Sequence, residues 1–153
     1  MKLSKEIEEL ERMLPNVSVK NTSISERGID WHMDHSLTVI NNVYDLLVKS
    51  NPKEYRWKFN FVRLVIFTKG SIPRGKARAP KAVNNKEEIL ISDVKDKLAL
   101  AKTNLELLNS LPSGVFFNHP YFGNIKKDKT IKFLQMHTRH HYKIMKDILN
   151  TKG

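Results

Sequence analysis

The sequence predicts an all-α fold, a four-helix bundle with one additional short helix at its N-terminus, in a single domain spanning residues 1–153. Two observations carry that expectation. Long stretches place apolar residues three or four apart, and each stretch stops at Pro, Gly or Asn. Helices of such length with a narrow apolar stripe bury it by packing on one another. Neither a repeat of solenoid length nor a low-complexity tract interrupts the pattern.

The first helix is expected from Ser4 to Leu14, with Ile7, Leu10, Met13 and Leu14 at helical spacing and Pro15–Asn16 as its stop. The second is expected from Ser25 to Ser50. Its one side is written by His32, His35, Val39, Val43, Leu46 and Leu47, and Asn51–Pro52 close it. Trp57 to Phe67, WKFNFVRLVIF, is apolar nearly all round, so periodicity alone leaves a buried strand open. With no second strand-like run nearby to pair with it, a buried helix is expected. Gly70, Pro73, Gly75 and Pro80 then mark a long loop carrying Lys69, Arg74, Lys76, Arg78 and Lys81. The next helix is expected from Lys86 to Ser110, on Ile91, Val94, Leu98, Ala101, Leu105 and Leu108, with Asn85 and Glu88 as a capping box. An aromatic connector, VFFNHPYFG, leads to a last helix from Lys127 to Leu149.

Composition narrows the chemistry. The chain has no cysteine, so disulfides, thiolate ligands and a cysteine nucleophile are excluded, and any metal site must use nitrogen and oxygen. The alternating charges of MKLSKEIEELERML lack the apolar run of a signal peptide, and a cytoplasmic location is expected. No window approaches the ~18 consecutive apolar residues of a membrane span. The net charge of +11 sits in two blocks: ten Lys/Arg against Glu54 from Lys49 to Lys81, and eight against Asp128 and Asp147 from Lys126 onward. Such asymmetry points to an anionic partner, whether a small molecule or nucleic acid.

Five of the six histidines fall in two helical clusters, His32 with His35 and His137 with His140 and His141. In the last helix the apolar line through Leu134, Ile144 and Ile148 passes through His137 and His141, one turn apart, the spacing at which two imidazoles can converge on an ion. His35 continues the line of Val39, Val43 and Leu46. Three inward imidazoles without partners would cost several kcal/mol in unmet hydrogen bonds, about 1–3 kcal/mol each, whereas one shared divalent ion satisfies a nitrogen on each. His32 and His140 lie one step off that line, as supporting groups or facing solvent. Asp34 and His140 are the candidates for proton transfer, with Glu54 a further carboxylate to consider. His119 is expected to pack within the HPYFG turn.

Four segments together resemble the DinB/YfiT-like metalloenzyme superfamily, in a bacterial branch of Bacteroidetes type: WHMDHSLTVI at Trp31–Ile40, FTKGSIPRGKARAPK at Phe67–Lys81, NHPYFGNI at Asn118–Ile125 and MHTRHHYKIM at Met136–Met145. The resemblance covers nearly the whole chain. It implies a four-helix bundle in which one His of the second helix and an HxxxH pair of the last hold nickel, zinc or a similar ion. Those ligands fall on His35, His137 and His141. Relatives in the wider group include thiol S-transferases that use bacillithiol, mycothiol or glutathione, which implies transfer or hydrolysis. The chain departs from the family where Tyr142, Lys143, Ile144 and Met145 follow His141 in place of Leu, a basic residue, Gln and Phe, and where Lys126 stands at a helix cap usually held by Ser or Thr.

The expected function is a metal-dependent transferase or hydrolase, in which a three-histidine divalent site activates a thiol cosubstrate or water. Arg74, Lys76 and Arg78 would draw in an anionic substrate. Expected partners are an anionic small molecule or a low-molecular-weight thiol, with a homodimer considered as the assembly. The alternative is a non-enzymatic binder of polyanions or nucleic acid using the basic loop and the basic C-terminal helix; it rests on charge and lacks a recognition motif.

Overall fold

A computed structural model of the chain describes residues 2–75 and 88–151. The described residues are mostly helical, with one small sheet: α1 Lys2–Arg12, α2 Ile29–Lys49, α3 Phe61–Lys69, α4 Ile91–Leu108, β1 Phe116–His119, β2 Gly123–Lys126 and α5 Lys127–Asn150. Short 3-10 turns at Leu14–Asn16 and Pro52–Glu54 absorb Pro15 and Pro52.

The core comes from the four helices whose sequences carry a one-sided stripe. Leu3, Ile7 and Leu10 of α1, Ile29, Met33, Leu37 and Leu47 of α2, Val94, Leu98 and Ala101 of α4, and Leu134, Met145 and Ile148 of α5 are buried. Within each set the spacings are steps of three or four residues, or sums of such steps, which keeps it on one face. α2 packs against α4 and α5, and α1 packs against the same two helices from the other side.

Polar ties fix how these faces meet. Asn41 Nδ2 donates to the Lys97 carbonyl at 3.1 Å and accepts at Oδ1 from Asn104 at 3.0 Å, joining α2 to α4. On the other side Arg139 Nε donates to Glu6 at 3.1 Å and the Tyr142 hydroxyl to Glu9 at 2.7 Å, joining α5 to α1.

The all-α expectation needs one correction. The aromatic connector is an antiparallel hairpin, β1 paired with β2, with Phe117 opposite Ile125 and His119 opposite Gly123. Phe117 and Ile125 are both buried, so the paired ladder presses one apolar face inward. Gly123 has φ 67°, a left-handed conformation suited to glycine at the tight turn.

A second correction concerns Trp57–Phe67. Only its C-terminal part is helical, and it is not buried: Trp57, Phe59, Phe61, Val62, Leu64 and Val65 are all exposed, while Phe67 is covered. Asn60 ends the extended stretch. Its Oδ1 accepts from the Arg63 amide at 2.7 Å and its Nδ2 donates to the Tyr121 carbonyl at 2.9 Å, so one side chain caps α3 and ties it to the hairpin. Asn60→Ala is expected to destabilise the fold by about 1 kcal/mol. In a thermal melt that is a fall of roughly 2–4 °C in midpoint; an unchanged midpoint would show the cap to be dispensable. At the far end Gly70, with φ 68°, closes α3 in the left-handed region.

Smaller differences lie at helix ends. α2 begins after Gly28 rather than at Ser25, and Leu46 faces solvent. α4 begins at Ile91, itself exposed, with Leu90 at its cap and no side-chain cap bond. Asn85 lies outside the described residues, as do Lys76, Arg78 and Lys81. Lys126 stands at the α5 cap without a side-chain bond to it. No described helix is long and apolar enough to cross a membrane.

Candidate metal centre

α2 and α5 pack side by side, and their facing stripes carry the histidines. His35 from α2 and His137 and His141 from α5 each offer a ring nitrogen, and the three nitrogens lie within 4.8 Å of one another. His35 and His141 are buried, and His137 is partly exposed with its Nδ1 fully covered. His35 Nε2 and His137 Nε2 are 3.2 Å apart. Two nitrogens bound tetrahedrally to one ion at ~2.0–2.1 Å stand about 3.3 Å apart, so this edge already has the spacing of a shared ion.

The protonation state also suits ligation. Burial, reinforced by the neighbouring imidazoles, holds His137 and His141 well below the ordinary histidine value. Both are neutral at physiological pH, and neutral imidazole is the ligating form. Among the described residues, His137 Nδ1 is buried without a hydrogen-bond partner. A nitrogen-only donor set of this kind could hold a metal ion.

His32 proves to be part of the assembly. Its Nδ1 lies 2.9 Å from His141 Nδ1, and its Nε2 lies 3.0 Å from Ser25 Oγ. If His141 uses Nε2 as its ligand atom, its Nδ1–H donates to His32, whose own Nε2–H then donates to Ser25. That chain sets both tautomers, as supporting bonds do around metal-binding histidines. Burial lowers His32 to about 4, with the charges of His35, His140 and Arg74 acting in the same direction, so it too is neutral. Trp31, one turn before His35, lies flat on its ring at 4.8 Å and 6°, and the Arg27 guanidinium sits 5.6 Å from the Trp31 ring. Sequence reading named neither Trp31 nor Ser25 for this site. The Trp31–His35 spacing of four was the available signal; Ser25 comes from the loop before α2 and carried none.

The other candidates divide. His140 Nδ1 lies 3.0 Å from the Ile72 carbonyl, which accepts its proton and leaves Nε2 as the basic nitrogen. Burial lowers its pKa against the raising effect of that bond, and the charges of Arg74, His35 and Lys143 lower it further. Asp34 is buried but belongs to a different contact, receiving Lys97 Nζ of α4 at 2.5 Å. Glu54 lies exposed in its 3-10 turn and accepts from Asn51. Arg74 makes an exposed ion pair with Asp147 at 2.6 Å, while its charge still bears on His32 and His140. His119 stacks on Phe122 at 4.2 Å, which bears out its packing role.

Much of the basic charge near α5 is committed internally. Arg139 pairs with Glu6, Lys132 donates to the Phe67 carbonyl at 2.9 Å, and Lys127 donates to the Leu111 carbonyl at 2.5 Å. A cleft of about 240 Å³ between Arg56, Lys58, Asn60 and the hairpin is not lined by any histidine. Its asparagines hold the hairpin in place: Asn124 donates to the Arg56 carbonyl and Asn118 to Asn124. Compared with protein-family models, with curated proteins and with solved structures, the chain matches none.

Proposed function

We propose that the chain is a metal-dependent enzyme of the DinB/YfiT type, with α1, α2, α4 and α5 as its four-helix bundle and His35, His137 and His141 holding one nickel or zinc ion. Its reaction is a transfer to a low-molecular-weight thiol or a hydrolysis. The observation that carries this reading is the convergence of three imidazole nitrogens, from two separate helices, to within 4.8 Å. An ion held by three protein ligands keeps open positions and supplies Lewis acidity, lowering the pKa of a bound water or thiol.

The chain's own residues would supply the rest. Neutral His140, with its Nδ1–H given to the Ile72 carbonyl, keeps a lone pair on Nε2 for accepting a proton. Asp34 is already neutralised by Lys97, and His140 is the better base. Arg74, whose charge reaches the histidines, favours an anionic substrate.

His32 orients His141 in this scheme. His32→Ala removes the partner of His141 Nδ1 and is expected to weaken metal binding by ~10–100-fold. Competition against a chromogenic chelator measures it, and wild-type affinity would remove His32 from the site.

Elemental analysis of the purified protein tests the proposal itself, followed by turnover assays with thiol cosubstrates and with hydrolysable esters and amides. About one equivalent of transition metal that is lost when the three histidines are replaced supports the proposal. Protein that neither retains nor takes up such a metal ends it. Salt-sensitive nucleic-acid binding that survives the triple replacement would favour the polyanion alternative.

A further inference from the structure

Arg74 is one of ten Lys/Arg between Lys49 and Lys81. Three others, Arg56, Lys58 and Arg63, line one cleft of about 240 Å³, where the extended stretch before α3 meets the β1–β2 hairpin. Phe59 and Phe122 give the cleft its aromatic lining, and Asn118 and Asn124 of the hairpin add amides. No carboxylate is among the lining residues. Elsewhere in the fold Arg74, Lys97 and Arg139 each meet a carboxylate, but among the described residues none of the three cleft cations forms an ion pair.

The walls of the cleft are pinned by hydrogen bonds. Arg63 Nη1 donates to the Phe122 and Asn124 carbonyls at 3.0 and 3.1 Å, and its Nη2 donates to the Lys58 carbonyl at 2.6 Å. Asn124 Nδ2 donates to the Arg56 carbonyl at 3.1 Å. The backbone of residues 56 and 58 is thereby tied to the hairpin. Arg56 Nη1 donates to the Lys53 and Tyr55 carbonyls at 2.9 and 3.0 Å, which holds the guanidinium in place. Among the described residues the remaining nitrogens of that guanidinium and the Lys58 Nζ have no acceptor. Three positive charges around one space repel one another, and an anion placed among them is attracted by all three.

We infer that this cleft binds a small phosphate-bearing molecule with a planar ring, its phosphate on Arg56 and Lys58 and its ring against Phe59. The site is separate from the metal centre, since no histidine lines it, and it does not depend on an ion being bound there. A guanidinium presents parallel donors that match phosphate oxygens, and an ammonium beside it adds a point charge. Three cations suit the charge of about −1.5 to −2 that a phosphomonoester carries better than the single charge of a carboxylate. Phe59 is 66% exposed although aromatic, so it has surface on which a ligand ring can stack. The volume lies below the ~300 Å³ at which pockets for drug-sized ligands begin, which keeps the occupant small. The pinned walls mean that little ordering is required when the ligand enters.

Calorimetric titration of the full chain with inorganic phosphate and with phenylphosphonate tests this, with chelator present so that no ion at the histidines captures either probe. Phenylphosphonate is expected to bind at least ~3-fold more tightly than phosphate, the gain from one aromatic contact. Lys58→Glu and Arg56→Gln are each expected to weaken both probes at least ~10-fold, the effect of losing a charge-assisted hydrogen bond. Phe59→Ala should remove the preference for the ring and leave phosphate binding in place. All three positions are exposed, and circular dichroism verifies that each variant keeps the fold. Arg63 stays intact in these variants because it holds the hairpin. No binding of either probe at ~10 mM, or affinities unchanged in both charge variants, would overturn the inference. So would binding that is lost in Arg74→Gln but kept in Lys58→Glu, which would place the anion at the loop instead. Equal affinity for the two probes would refute the place assigned to the ring.

Discussion

Zinc or nickel added to chelator-stripped protein is expected to raise its thermal midpoint by roughly 5–10 °C once the free ion stands a hundredfold above its dissociation constant. At that ratio a ligand specific to the native state contributes ~2.7 kcal/mol, and a domain of this size shifts by about 2–4 °C per kcal/mol. The stabilisation arises because His35 lies on α2 and His137 and His141 lie on α5, so the three donors stand together only when those helices are packed. The unfolded chain keeps His137 and His141 close in sequence but loses their alignment with His35. His137→Ala should abolish the shift, and its loss of affinity should exceed the ~10–100-fold that removing a supporting group costs. A midpoint that rises equally in the variant would place the bound ion elsewhere, and no rise at all in the wild type would remove the basis for a metalloenzyme.

Acid should destabilise the metal-free protein steeply, and His119 illustrates why. Its Nδ1 accepts from the Tyr121 and Phe122 amides at 3.1 and 3.2 Å, so a proton on that nitrogen would break both bonds. Burial lowers it from 6.5 to about 4. Between those two values the unfolded chain binds the proton and the folded chain does not, so stability falls as pH drops from 6.5 to 4 and is constant with respect to this group above 6.5. The loss from His119 is about 3 kcal/mol at the lower end. His32, also lowered to about 4, adds a loss of the same sign over the same window. Urea titrations at pH 7.5, 6, 5 and 4 with chelator present measure the effect, and the slope should lessen in His119→Asn. A stability that is flat from pH 6.5 to 4 would contradict the buried, neutral state of these rings.

Sequence periodicity located α1, α2, α4 and α5 to within a few residues because their apolar side chains recur with the helical period over many turns. The hairpin escaped that test. Strands of four residues are too short to establish a period of two, and the pairing of Phe117 with Ile125 is a contact across the chain. The stretch from Trp57 to Phe67 failed for a different reason: a run of apolar residues records an aversion to water but does not name the surface that covers it. Within the candidate site the helical spacing of His137 and His141 and the line through His35 were readable. The role of His32 was not, because its partners Ser25 and His141 lie 7 and 109 residues away.

Sequence alone determined that four amphipathic helices form, that any metal site must use nitrogen and oxygen rather than thiolate, and that His35, His137 and His141 share the apolar lines of their helices. These follow from residue type and local spacing, which the chain carries before it folds. Tertiary packing decided that α2 and α5 lie side by side, so that nitrogens more than a hundred residues apart come within reach of one ion. It also tied Asp34 to Lys97, joined His32 to His141, and left one face of α3 uncovered. Those outcomes depend on which faces meet, a property of the assembled helices that no single stretch encodes.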